Sequence, residues 1–134
     1  MMTKMKVFLS YASSDAETGE EVRRALEEAG FEVWDPVIRL GHGSNFALDI
    51  GRALEDSDAL VVLVSPEAMK SDWIRWELNH ALGDPRFEGR LLPVELRHTD
   101  ELPWILRKFT VLTFDGQKRA RPIVEALHKI RDAA

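Results

Sequence analysis

The 134-residue sequence has no cysteine. Disulfide frameworks, thiol catalysis, iron–sulfur clusters and cysteine zinc sites are thereby excluded, and nothing calls for an oxidising compartment, so a cytoplasmic setting is expected. Long hydrophobic runs are also missing. The lysine-containing start, Met1 to Lys6, leads only into the short apolar stretch Val7 to Leu9. That is too brief for the apolar region of a signal peptide or for a membrane span, and no membrane partner is expected. Positive charge is in deficit: 18 Lys and Arg stand against 23 Asp and Glu, a net charge of -5. Phosphate backbones are held by clustered cations, so nucleic acid is not an expected partner. No repeat, low-complexity tract or Pro/Gly/Ser-rich linker divides the chain, and one domain over residues 1–134 is expected, with its core at about 5–131. What is present, 45% hydrophobic and 31% charged residues, suffices for a folded core.

The apolar pattern alternates between two element types. Lys6 to Tyr11 (KVFLSY) reads as a strand, and Asp15 to Ala29 follows with Val22, Ala25, Leu26 and Ala29 at helical spacing before Gly30. Phe31 to Trp34 is a second strand. A long loop from Asp35 to Asn45, with a proline and two glycines, separates it from a helical pattern over Phe46 to Leu54. Ala59 to Val64 (ALVVLV) is apolar without alternation, as expected of a central strand covered on both faces. Ser65, Pro66 and Glu67 read as a helix start, opening an interrupted helical region through Asp72 to Leu82. Leu91 to Leu96 and Thr110 to Phe114 are further strands, Glu101 to Arg107 a short helix and Ala120 to Arg131 a closing amphipathic helix. Pro93 inside the fourth strand is a tension, since it removes a ladder donor.

Strict βα alternation with right-handed crossovers implies a three-layer α/β fold with helices on both faces of a mainly parallel sheet. The expected order is the flavodoxin-like 2-1-3-4-5 over five strands. Its switch point lies between the first and third strands, which puts Ser10 to Asp15 and the segment from Ser65 beside any site. Two common occupants of this architecture do not match. A phosphoacceptor receiver needs acidic residues after the first strand and an Asp after the third, where this chain has Tyr11, Ala12 and Ser65. A flavin loop needs a denser Ser/Thr/Gly run than SYASSD supplies.

A third occupant matches better. KVFLSYASSD, the VWDP entry into the long glycine-containing loop, DIGRALEDSDALVVLVSP, and Trp73 followed by Glu77 in SDWIRWEL together resemble the Toll/interleukin-1 receptor (TIR) domain family. The resemblance runs from Lys6 to about Ile130, and the WxxxE pattern falls where enzymatic members carry theirs. It implies NAD as substrate, no separate cofactor, cleavage of the nicotinamide–ribose bond and Glu77 as the catalytic residue. It also implies that Ser10, Tyr11, Ala12, Asp35, Gly43, Phe46 and Trp73 contact or frame the nucleotide. Some active members place Arg just after the strand's Tyr; here Ala12 and Ser13 stand there, and Arg39 is the candidate for phosphate neutralisation. Self-association through the loop Pro36 to Asn45 is implied as well, with a fused or separate sensor or effector protein as trigger. The rival expectation is a non-enzymatic module that signals by docking onto other TIR domains.

Physical spacing bears on this separately. Residues i and i+4 share a helix face, so Trp73 and Glu77 can offer an aromatic plane and a carboxylate to one cleft. Pattern alone makes Glu77 more ordinary, a solvated helix charge. His42, His80, His98 and His128 show no metal-ligand spacing, and no metal is expected. Lys118, Arg119, Arg121, Lys129 and Arg131, like Glu20, Glu21, Glu27 and Glu28, read as solvated faces.

Overall fold

The computed structural model describes residues 4–36, 46–102, 106 and 109–133. In chain order the elements are β1 (Lys6–Ser10), α1 (Ala16–Glu28), β2 (Glu32–Trp34), α2 (Phe46–Asp56), β3 (Ala59–Val64), α3 (Pro66–Met69), α4 (Asp72–Leu82), β4 (Leu91–Glu95), β5 (Leu112–Thr113) and α5 (Arg121–Ala133). Short 3-10 turns span Ser13–Asp15 and Pro85–Phe87. The strands form one sheet in the order β2-β1-β3-β4-β5, and every described pairing is parallel. This is the flavodoxin-like α/β arrangement expected from the alternation.

Strand periodicity divides the core in two. Phe8, Leu60, Val62 and Val64 face one side of the sheet, where they pack with Ile50 and Leu54 of α2 and Ile74 and Leu78 of α4. Val7, Leu9, Val61 and Leu63 face the other side, against Val22 and Leu26 of α1 and Ile123 and Leu127 of α5. All six residues of β3 are buried, which is why ALVVLV shows no polar alternation. Each fully buried Val or Leu contributes roughly 1.5–3 kcal/mol relative to exposure. The interrupted helix after β3 resolves into α3 and α4, each opened by a serine cap: Ser65 Oγ accepts from Ala68 N–H, and Ser71 Oγ from Ile74 N–H.

Pro93 fits inside β4 because of its side of the ladder. Arg90 C=O accepts from Leu60 N–H and Leu96 N–H donates to Val64 C=O, whereas Glu95 C=O accepts from Phe114 N–H on the β5 side. Even-numbered residues of β4 therefore turn to β3, and Pro93 turns to β5. There only Val94 and Glu95 are paired, with Leu112 and Thr113. The same proline explains a correction: β5 spans Leu112–Thr113 rather than Thr110 to Phe114, since extension toward Thr110 meets a residue with no N–H to give. The helix expected over Glu101 to Arg107 falls largely outside the described residues.

Candidate active site

The register of β1 decides which way its last residues point. Ser10 continues the parity of Phe8 and faces α4, while Tyr11 continues that of Leu9 and packs on the α1 side. Ala12 returns to the α4 side. The Tyr11 ring lies over Gly19 of α1, so closely that a Cβ at position 19 would stand 2.5–2.7 Å from three ring atoms. Its hydroxyl donates to Asp35 Oδ2 at 2.6 Å, and both side chains are buried. Burial, then the bond to Asp35, pushes the Tyr11 phenol above its ordinary pKa. The hydroxyl is committed to a neutral donor role that ties the end of β1 to the end of β2.

Glu77 occupies a core position of α4. The buried residues of that helix are Ile74, Glu77, Leu78 and Ala81, an i, i+3, i+4, i+7 stripe in which one member is a carboxylate. Only 2% of Glu77 is exposed, so the solvated helix charge suggested by pattern alone is corrected. Ser10 Oγ donates to Glu77 Oε2 across the top of the sheet. Burial pushes the Glu77 carboxyl up to about 7, opposed by the Ser10 bond, which favours the charged form. No Lys, Arg or His forms an ion pair with it among the described residues.

These residues meet in a cleft of about 480 Å³ at the carboxyl ends of β1 and β3. Ser10, Tyr11, Ala12, Pro36, Trp73 and Glu77 line it. Trp73, 42% exposed, stands one helical turn before Glu77 and meets Trp76 edge-on, with ring centroids 6.4 Å apart. Trp76 stacks on His80 and rests against α2 near Gly51, away from the cleft lining. Asp35 backs the cleft through Tyr11 without lining it. Phe46 begins α2; its side chain, like Arg39 and Gly43, lies outside what is described. A second groove of about 420 Å³ at the start of β1 and β2 mixes Lys6, Glu32, Asp49 and Arg52 but contains no buried titratable side chain. The chemistry is concentrated in the first.

Sequence reasoning missed a polar network beside this cleft. Asp15, buried in the turn after β1, accepts from Ser65 Oγ at 2.6 Å and from Arg97 Nη2 at 2.8 Å. Arg97, just past β4, also donates to Glu67 at the cleft edge at 2.7 Å. The available signal was positional: all four residues follow or flank the carboxyl ends of strands that the parallel order brings together.

A family model for the TIR domain matches residues 7–129. The chain belongs to the TIR domain family. This TIR domain is 30% identical over 91 residues to a probable 2' cyclic ADP-D-ribose synthase, TcpO, of Methanobrevibacter olleyae, the match covering 66% of this chain and 26% of that protein. It is 33% identical over 73 residues to the 2' cyclic ADP-D-ribose synthase BtTIR of Bacteroides thetaiotaomicron, covering 54% and 25% respectively. The chain thus spans about a quarter of the length of these curated relatives. Among solved structures, the TIR domain of a Toll-related receptor from Hydra magnipapillata superposes with a TM-score of 0.75 at 26% identity, covering 93% of this chain and 97% of that one. A metazoan TIR-STING receptor from C. gigas shares the fold, with a TM-score of 0.77 at 24% identity, over 90% and 38% of the two chains. No described helix is long and apolar enough to cross a membrane.

Proposed function

We propose that this TIR domain cleaves the bond between nicotinamide and ribose in NAD, with Glu77 as the catalytic carboxylate. The observation that carries the reading is a buried carboxylate that has no cationic partner among the described residues, at the base of a cleft that Trp73 also lines. The similarity to proteins named as cyclic ADP-D-ribose synthases supports the same chemistry.

Nicotinamide is already cationic in NAD and leaves as a neutral ring, taking the electron pair of the broken C1′–N bond, so no general acid is needed for its departure. Positive charge then develops on the ribose ring. A fixed carboxylate in a water-poor site stabilises that charge electrostatically, as in glycoside cleavage. Ser10 orients Glu77 and favours its charged form, and the cationic substrate favours that form further. Water adds its oxygen to C1′ and releases a proton to give ADP-ribose; alternatively a hydroxyl of the same molecule closes on C1′, releasing its proton, to give a cyclic product. Trp73 supplies an aromatic face for a flat ring. Self-association through the loop Pro36 to Asn45 belongs to the same reading.

The test follows NAD and nicotinamide by chromatography with concentrated protein, comparing the native chain with folded Glu77→Ala and Glu77→Gln. Release of nicotinamide that both substitutions abolish is the expected result, and the accompanying product peak distinguishes hydrolysis from cyclisation. Folded, associated native protein that leaves NAD intact would favour the non-enzymatic docking module, to which Ala12 in place of a basic residue gives some support.

A further inference from the structure

The described lining of the cleft contains two carboxylates, Glu67 and Glu77, and neither Lys nor Arg. A dinucleotide brings two phosphate groups, which call for a cationic hydrogen-bond donor. Among the described residues, the cation tied to this cleft is Arg97. Its Nη2 donates to buried Asp15 at 2.8 Å and to Glu67 at 2.7 Å, while Nε and Nη1 have no partner among the described residues. Half of the Arg97 side chain is exposed. Asp15 is itself fixed by the Ser65 hydroxyl, so the guanidinium is anchored on its inner side. On its outer side it is bridged to a carboxylate that is half exposed and already lines the cleft. Arg97 holds that Glu67 carboxyl below its ordinary range, as a close charged contact should.

We infer that Arg97 is a specificity-determining residue that binds the diphosphate of the substrate, the phosphate oxygen taking the place on the guanidinium that Glu67 otherwise holds. The inference rests on the NAD reading for its substrate. Asp15 and Ser65 position the arginine; Glu67 competes with the phosphate for it. Arginine suits this role because its planar fork can keep one anion and accept a second.

The experiment compares NAD with nicotinamide riboside, which has the same scissile bond and no diphosphate. Steady-state kinetics are measured on the native chain, Arg97→Ala, Arg97→Lys and Glu67→Gln, together with calorimetric binding of ADP-ribose. Arg97→Ala is expected to raise KM for NAD about tenfold with kcat little changed, Arg97→Lys to raise it less, and Glu67→Gln to lower it a few fold. The shifts for nicotinamide riboside should stay within about twofold. Equal shifts for both substrates, or a higher KM for NAD in Glu67→Gln, would overturn the inference while leaving NAD cleavage intact. If the native chain cleaves neither substrate, the cleavage reading falls and ADP-ribose binding decides: roughly tenfold weaker binding to the Arg97 variants upholds the role of Arg97, and equal or absent binding overturns it. Should Arg97→Ala fail to fold, Arg97→Lys and Glu67→Gln carry the same comparison.

Discussion

Asp15 and Glu77 are both buried carboxylates at the carboxyl ends of the sheet, and each accepts a hydrogen bond from a serine hydroxyl. They differ in one respect. Asp15 has the guanidinium of Arg97 against it, whereas Glu77 has no cationic partner among the described residues and sits among Ile74, Leu78 and Ala81. A paired buried carboxylate is satisfied and structural. An unpaired one is held at a cost that the fold must offset elsewhere, and its charge remains available to a cation that enters the cleft.

The same chemical change should therefore act differently at the two sites. The largest effect is on turnover: Glu77→Gln is expected to lower the rate of nicotinamide release from NAD by at least about 10²–10³-fold, the range for loss of a fixed electrostatic partner. The next effect is on stability and carries the opposite sign to the usual one. Raising the folded pKa of Glu77 from 4.5 to about 7 means the folded state binds the extra proton between those values, so this group's contribution falls as pH rises through that window. Native Glu77 then costs roughly 3 kcal/mol above pH 7, and denaturant unfolding should find Glu77→Gln gaining on the native chain from pH 4 to pH 8 by up to that amount. At Asp15 the neutral isostere should be destabilising. Asp15→Asn loses the charge that Arg97 faces, and because Arg97 is half exposed the expected loss in the same unfolding assay is about 1–2 kcal/mol.

A smaller effect probes the floor of the cleft. Gly19→Ala would gain helix propensity, but its Cβ would collide with the Tyr11 ring, which the bond to buried Asp35 keeps from moving aside. A net loss of about 1 kcal/mol in denaturant unfolding is expected, and Gly19→Ala should cost less than that in a Tyr11→Leu background, where the ring is gone.

Much of this architecture was legible because it is local. Apolar runs marked the first four strands, the Ser65–Pro66 pair marked the start of α3, and strict alternation implied a parallel sheet with helices on both faces. The length of β5 was not legible, because it depends on where Pro93 lies in a neighbouring strand. Trp73 and Glu77 could be placed on one helix face from their spacing, but pattern alone read Glu77 as a solvated charge, and its burial was not legible. The hydrogen-bond partner of Glu77 is a serine 67 residues earlier in the chain, and the Asp15–Arg97 pair closes over 82 residues. Such contacts exist only once the parallel sheet has gathered its strand ends. Gly43, expected from resemblance to border the nucleotide, and Arg39, the candidate for phosphate neutralisation, lie outside the described residues.

The most direct measurement is the pH dependence of kcat/KM for NAD cleavage, which reports the ionisation of the free protein. If the Glu77 carboxylate stabilises the developing ribose cation, kcat/KM should climb about tenfold per pH unit below neutrality and level off above about 7. A profile that stays flat from pH 5.5 to 8.5, falls as the carboxylate ionises, or shows no turnover at any pH would contradict the role assigned to Glu77.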